Sequence, residues 1–318
     1  MKGQGIVTSV LASDHLQRER LLSDRHMSRN PVKHTERVSM TKYRGLFSVL
    51  LAAVVALILA AGSPVGWADD DEDEMPFEEA HIFFELNHTD GDLGIHALID
   101  GEPWKRLEIE DPQERRMLNI YVNGRLRRQG LTEIFFESAE PPFDELPPEQ
   151  FFRRFPPGKY EIESETLDGK ELESEVELTH VMPAPPEPTV NGEPMATVCD
   201  EDDPVYNVTE VAAGNPVTIA WPEVTMSHPD PAGGGAGVQP PVPVTIRNYE
   251  IVVEVELDLG DGEEFLSVLS IILPPGVRAM TIPVEFIALG TTFKYEVLAR
   301  EESFNQTAVE SCFVIVEE

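Results

Sequence analysis

A strict alternation of side-chain types runs through residues 159–180, KYEIESETLDGKELESEVELTH, and it constrains the fold more than any other feature. A period of two predicts a β-strand with one buried and one exposed face. Two such runs flank Asp168-Gly169, so the segment predicts a β-hairpin whose glutamates all lie on the outer face. Burial of the other face restricts the register, because a slip of one residue exchanges the two faces.

The loop of this hairpin determines its register. A two-residue loop would set Ile162 opposite Glu175, which burial excludes. A three-residue loop, 167–169, with Gly169 in the left-handed region restores the agreement. That register opposes three glutamate pairs, namely Glu161 with Glu175, Glu163 with Glu173, and Glu165 with Glu171. Each pair costs up to about 1 kcal/mol, unless a cation neutralises it or it is simply solvated and screened by salt.

The remaining sequence also predicts short strands separated by turns. In the first half they cover 82–86, 95–99, 107–109, 117–122 and 133–137, and a helical turn covers 148–155. In the second half they cover 217–221, 246–255, 279–287, 293–299 and 312–316. The Pro-rich segment 183–194 predicts a linker between a domain at 79–182 and a domain at 195–318. The fold class expected is therefore all-β, with two β-sandwich domains.

The second half carries the runs VTIAW, IRNYEIVVEV and LGTTFKYEVLA. In this order they resemble strands B, C and F of a fibronectin type III domain, over residues 195–318. The resemblance implies a seven-stranded sandwich that acts as a spacer or binding module, with Trp221 as its central aromatic and with Leu289 and Tyr295 at its tyrosine corner. The segment 222–243 is longer than that family requires, and the chain has no Arg-Gly-Asp tripeptide.

The N-terminal part predicts export. Residues 46–61 are apolar except for one serine and follow Lys42 and Arg44, and small residues precede Asp69. We interpret residues 40–68 as a signal peptide cleaved after Ala68, and residues 1–39 as disordered or as a mis-assigned start. The alternative is a membrane anchor through 46–61, although that run is shorter than the roughly 20 residues that a spanning helix needs.

The exported part is strongly acidic, and residues 69–78 form an acidic tail at its start. It retains 15 Lys and Arg against 54 Asp and Glu. Such a charge argues against binding to nucleic acid or to membranes beyond the signal peptide, because the summed field repels polyanions. It leaves adaptation to a saline environment, or a cation or basic partner, as the explanation. Both cysteines, Cys199 and Cys312, lie in this part and predict one disulfide bond.

Few residues suggest a chemical site. Asn87, Asp90, Asp92 and Asp100 supply oxygen atoms that suit calcium, but Asx and Gly residues are also what turns require. The histidines of the first half match no metal-binding spacing and are interpreted as structural; they are His81, His88, His96 and His180. One basic neighbourhood offsets local acid or forms a docking strip for an acidic partner; it contains Arg115, Arg116, Arg125, Arg127 and Arg128.

No catalytic or cofactor motif is present in the sequence, so neither an active site nor a cofactor is predicted. The function expected is that of an exported, non-catalytic binding or scaffolding protein of the cell envelope or the extracellular space, with an unidentified protein or glycan as partner. Two alternatives stay open. One is a calcium-dependent binding module, and the other is a hydrolase of unrecognised type.

Overall fold

The computed structural model describes residues 74–200, 203–229, 241–260 and 263–317. More than half of these residues lie in β-strands, which confirms the all-β fold class. The predicted signal peptide, the residues before it and the first half of the acidic tail, 69–73, lie outside the described residues.

The first half contains seven strands and one α-helix among the described residues. They are β1 (Glu74–Met75), β2 (Glu79–Asn87), β3 (Asp92–Glu110), β4 (Arg116–Tyr121), β5 (Leu131–Glu137), α1 (Pro148–Arg154), β6 (Gly158–Thr166) and β7 (Glu171–Leu178). The long strand β3 belongs to two layers, because its first part pairs with β2 and β5 and its second part pairs with β4 and β6. Trp104, Phe84 and Tyr160 are fully buried in the core between these layers.

The bend in β3 corrects one expectation. The predicted strands at 95–99 and 107–109 are parts of this single strand, and Asp100-Gly101 is not a turn between them. The register shifts between Asp100 and Trp104 instead, so the chain changes layer through an irregularity. The helical turn at 148–155 is confirmed as α1, whose Phe151 and Phe152 are buried against the first core.

The hairpin register is confirmed in full. Strands β6 and β7 pair Glu161 with Glu175 and Glu163 with Glu173, and Ile162 lies opposite Ser174. Gly169 has a φ of 88°, as the three-residue loop requires.

The second half contains nine strands and a short helix among the described residues. They are β8 (Thr189–Val190), β9 (Glu193–Pro194), β10 (Thr209–Ala212), β11 (Thr218–Ala220), β12 (Ile246–Gly260), β13 (Glu263–Leu273), β14 (Ala279–Thr281), α2 (Val284–Ile287), β15 (Thr292–Glu301) and β16 (Gln306–Val316). One sheet has the order β14-β11-β8-β9, and the other runs β16-β15-β12-β13 with β10 parallel to β16. A second core lies between them, as in immunoglobulin-like sandwiches.

Two of the three predicted core residues are confirmed. Trp221 is 4% exposed and Tyr295 is 1% exposed. Leu289 is 42% exposed, so its assignment to the core was wrong. The reason is local: the predicted strand at 279–287 ends at Thr281, and the chain then forms α2, after which Leu289 lies in a turn before β15 begins. Cys199 and Cys312 form the predicted disulfide, with their Cα atoms 5.9 Å apart.

Two predicted connecting segments are packed parts of the fold. The Pro-rich segment 183–194 contains β8 and β9, and its Val190 is fully buried in the second core. It is therefore not a free linker. The end of the predicted acidic tail forms β1, which pairs with β7 in parallel, and Phe77 is 6% exposed. The described residues form one compact unit with two cores.

Candidate functional site

The junction between the two cores is formed by backbone pairing. Strand β16 of the second half lies parallel to β2 of the first half, with Gln306 opposite Glu85 and Ala308 opposite Asn87. The amide of His88 continues this ladder by donating to the carbonyl of Ala308 over 2.9 Å. One sheet thus runs without interruption from the first half into the second, in the order β1-β7-β6-β3-β2-β16-β15-β12-β13, and we call it the long sheet.

Asn305 lies at the centre of this junction and is fully buried. Its Oδ1 accepts a hydrogen bond from the amide of Phe84 at 2.8 Å. Its Nδ2 donates to the carbonyls of Thr179 and Val181, both at 3.0 Å. One side chain therefore joins the β15–β16 turn to β2 and to the segment after β7. Buried amides with all their partners in place give a site one well-defined geometry.

The residues beside Asn305 extend this contact. Thr307 donates to the carbonyl of Pro183 over 2.7 Å, which attaches the start of the Pro-rich segment to β16. Phe304 has a φ of 73°, a region that bulky residues avoid. Its ring is held between His81, whose centroid is 3.7 Å away, and the guanidinium of Arg247 at 4.3 Å. The packing of the junction thus holds Phe304 at a positive φ, which is uncommon for a bulky residue.

Several histidines lie near this junction. Burial lowers the pKa of His81, and Arg247 and Arg300 lower it further. Burial also lowers the pKa of His88, whose Nδ1 lies 3.3 Å from Nε2 of His228. In the same way burial lowers the pKa of His180, although its Nε2 contacts the carbonyl of Phe155 at 2.8 Å.

His96 behaves differently from the other histidines. Its burial would lower its pKa, but the hydrogen bond from Nε2 to Glu140 at 3.0 Å, together with the carboxylates of Glu85 and Glu137, raises that pKa overall.

The outer face of the hairpin is the first of two acidic surfaces. Strand β3 extends its glutamate rows, because Glu108 lies opposite Glu163 and Glu110 opposite Glu161. Glu108 is only 5% exposed and is bound by Arg106, Arg116 and Asn119. Cations therefore neutralise part of this face, whereas Glu161 and Glu163 stay exposed on it.

Two lysines also bind on this face. Lys159 lies 2.6 Å from Glu175, and Lys105 lies 2.6 Å from Glu165. Each of these ion pairs is solvent-exposed on at least one side, so each contributes little stability by itself. A lysine therefore reduces the repulsion at two of the three predicted glutamate pairs, Glu161 with Glu175 and Glu165 with Glu171.

The second acidic surface is the carboxylate cluster, which lies on the face of the long sheet that points away from the second core. Its members are Glu85, Glu250, Glu254, Glu296 and Glu310. Glu296 stands directly opposite Glu310. Burial raises the pKa of Glu296 well above its ordinary value, and the other four carboxylates raise it further. Arg300 partly compensates this charge, since its Nη2 lies 3.6 Å from Glu250.

The four calcium candidates do not form one site. Asp92 pairs with Asn87 at one end of the β2–β3 ladder, and Asp100 pairs with Glu79 at the other end. Asn87 uses its side chain in the turn, because its Oδ1 accepts from the amides of Thr89 at 3.0 Å and Asp90 at 3.1 Å. Within the described ranges, no three His, Cys, Asp or Glu side chains are grouped so that they could hold a metal ion.

The predicted basic neighbourhood divides into two parts. Arg115 binds Asp111 at 2.6 Å and Arg116 binds Glu108, so these two offset local acid. Arg125, Arg127 and Arg128 lie in and beside a 3₁₀ turn, 126–128, where their side chains are exposed.

Two depressions on the described surface are shallow and open. One is lined by residues 256–259 and 289–292, the other by residues around Met75 and Ser174. No helix among the described residues has both the length and the apolar character to cross a membrane.

Comparisons with known proteins give only distant structural likenesses. No known family and no curated protein matches the chain. Among solved structures, a bacterial ice-binding adhesin shares 8% identity over 77% of this chain and 66% of its own, with a TM-score of 0.21. A tetra-tandem repeat from the extending region of a large adhesion protein shares 11% over 75% of this chain and 50% of its own, with a TM-score of 0.21. The BSP domain of a biofilm-associated protein shares 10% over 78% of this chain and 31% of its own, with a TM-score of 0.23.

The chain therefore spans two thirds or less of the length of these structures. TM-scores this low do not establish a common arrangement of the whole chain. The function is accordingly argued from the residues of the chain itself.

Proposed function

We propose that the chain is an exported, non-catalytic protein that works outside the cytoplasm as a rigid two-part binding or spacing module. The observation that carries this proposal is the junction, where β16 pairs with β2 and the buried Asn305 contacts both halves. Two sandwiches that share a sheet keep a fixed relative orientation, whereas domains on a free linker move relative to each other by default.

The architecture of the second half supports a spacing or binding role. A sheet with the order β13-β12-β15-β16 packs over a sheet that contains β8, β11 and β14, as in immunoglobulin-like sandwiches that serve as spacers or binding modules. Folds of this kind serve many functions, so the role rests on the junction rather than on the fold.

Charge and disulfide support the location and the partner class. The Cys199–Cys312 bond fits an oxidising compartment, as does the predicted cleavage before Asp69. Both acidic surfaces favour a protein partner or glycan partner that presents cations over one that presents anions. The proposal therefore excludes nucleic acid as the partner.

Rigidity can be tested with spin labels on the full chain. The native cysteines are paired, so labels at Asp168→Cys and Val284→Cys report the distance between the first and second halves. We expect one narrow distance distribution, as narrow as that of a control pair within the first half, Asp168→Cys with Arg125→Cys. A broad distribution in the wild-type background would refute the rigid module.

Export is tested separately. N-terminal sequencing of the exported product should begin at Asp69 or within a few residues of it. Recovery of the uncleaved chain in the membrane fraction would instead support the anchor through 46–61.

A further inference from the structure

Strand β13 is the outermost strand of the long sheet. Among the described residues it pairs only with β12, in a regular antiparallel ladder from Asp258 opposite Glu264 to Tyr249 opposite Leu273. Over residues 265–273, no strand among the described residues pairs with its other edge. A free edge of this kind is a template for pairing with a further strand.

The composition of β13 does not protect this edge. Residues Phe265 to Leu273, FLSVLSIIL, contain no charged residue, no proline and no glycine. Charged residues and prolines usually discourage pairing at a sheet edge, and this stretch has neither. No residue of β13 is buried, although most of them are large and apolar, and Phe265 is 54% and Ile272 46% exposed.

The other long hairpin shows the contrast. Strand β7 carries glutamates at alternate positions along its outer face, and its outer edge is covered by β1 over Glu171 and Leu172. One end of the long sheet is therefore protected by charge and a covering strand, whereas at the other end the apolar edge has no covering strand in the part of the chain that the structure describes.

We propose that β13 pairs antiparallel with β13 of a second copy of this chain, about a two-fold axis at Leu269. The charge-free stretch is centred on that residue. This register sets Phe265 opposite Leu273 and Leu266 opposite Ile272, and it places Glu263 and Glu264 beyond the partner strand, opposite its Pro275 and Pro274.

The charge pattern of β13 fits a second copy in this register, because the two glutamates at the start of the strand face prolines of the partner strand. The chain carries a net charge of −34, so its copies repel each other wherever acidic faces meet. The edge of β13 is a surface where two copies can approach without opposing carboxylates. Other acidic residues lie beside the strand and not on the paired stretch, namely Glu250, Glu254 and Glu256 on β12.

The geometry also extends the core. Leu269, Ile271 and Leu273 already pack against the second core from its margin. In the paired register Phe265 of the other copy lies next to this apolar margin and covers it. The shared ladder is about 30 Å long, and along it alternate residues donate one N–H and accept at one C=O from the partner strand.

The test is sedimentation equilibrium of the full chain, with a double variant, Val268→Lys and Ile272→Lys. Both side chains lie on the outer face opposite Glu254 and Glu250 of β12, so lysines are tolerated in the single copy but oppose the second copy. The matched control is Val277→Lys with Val284→Lys, which changes the charge equally at exposed sites outside β13. Melting temperatures confirm that both variants fold.

We expect a concentration-dependent dimer in the wild type and in the control, and a dissociation constant raised at least about tenfold in the β13 variant. A wild-type chain that is monomeric at every attainable concentration overturns the proposal. So does a dimer that the β13 variant retains, or one that the control loses equally.

The register is tested with Leu269→Cys, since no free cysteine competes among the described residues. Mild oxidation should link two copies at this position and should not link them at Val284→Cys. Equal crosslinking at both positions would contradict the two-fold axis at Leu269.

Discussion

Asn305→Ala should uncouple the two halves of the protein. The substitution removes the partner of three main-chain groups, the amide of Phe84 and the carbonyls of Thr179 and Val181, at distances of 2.8 to 3.0 Å. A buried polar group that loses its partner costs about 1 to 3 kcal/mol. Water will reach some of these groups, so we expect a loss of about 3 to 5 kcal/mol in the free energy of unfolding.

The two cores offer separate fluorescent reporters. Residues 69–318 contain two tryptophans, Trp104 in the first core and Trp221 in the second. Single-tryptophan variants, Trp221→Phe and Trp104→Phe, therefore follow each core through urea unfolding. In the parent background we expect coincident transitions, because the shared sheet couples the cores. In Asn305→Ala we expect two separate transitions, with the first core and the second core unfolding at different urea concentrations.

Asn207→Ala is the matched control. Asn207 also binds main-chain amides, those of Thr197 at 3.1 Å and Val198 at 3.0 Å, but it does so at an exposed position away from the junction. We expect it to cost less than about 1 kcal/mol and to leave the transitions coincident. The reasoning is refuted if Asn305→Ala unfolds in one transition at the wild-type midpoint, or if the two cores already unfold separately in the parent.

Four further outcomes are expected. Trp221→Ala should lower the free energy of unfolding by about 3 to 5 kcal/mol, since Trp221 is buried against Tyr249; wild-type urea unfolding would contradict this. Reducing the Cys199–Cys312 bond should cost up to about 5 kcal/mol, and free thiols in the unfolded, unreduced chain would show that the bond is absent. Glu296→Gln should raise the melting temperature near pH 8 and not near pH 4. The raised pKa of Glu296 means that its stabilising contribution is complete below its ordinary value of 4.5 and is lost as pH rises through the folded value; an equal effect at both pH values would contradict this. Calcium and magnesium should stabilise the chain equally at equal ionic strength, and a saturable response to calcium alone would reinstate the calcium-dependent alternative.

The sequence predicted those parts of the fold that depend on neighbours in the chain. The hairpin register follows from two local constraints, the alternation of Ile162 and Glu163 and the conformation of Gly169, and the structure has that register. The helix α1 likewise follows from Pro148 and the spacing of Phe151 and Phe152. In both cases only one local structure places the apolar side chains on a common buried face.

Contacts between distant residues were not predictable in the same way. The pairing of Gln306 with Glu85 joins strands that are far apart in the chain, and neither strand carries a local signal for the other. Asn305 stands in an ordinary turn sequence, so its burial depends wholly on the packing of the first half against that turn. Leu289 was misplaced because a pattern taken from one family was extended to a segment that forms a helix here. Strand β13 could have been found, since an uncharged, mostly apolar run lies between Glu264 and Pro274.

The disulfide gives the protein an uneven response to tension. In the spacing role proposed above, the chain is pulled at its two ends, and its extended length then depends on how much chain can be drawn out. Cys199 and Cys312 are 113 residues apart in sequence, so this loop cannot lengthen while the bond is intact. That withholds roughly 390 Å of contour length from the extended chain. Stretching can therefore unfold the first sandwich. Most of the second sandwich lies inside the loop that the disulfide closes, so it does not bear the applied force.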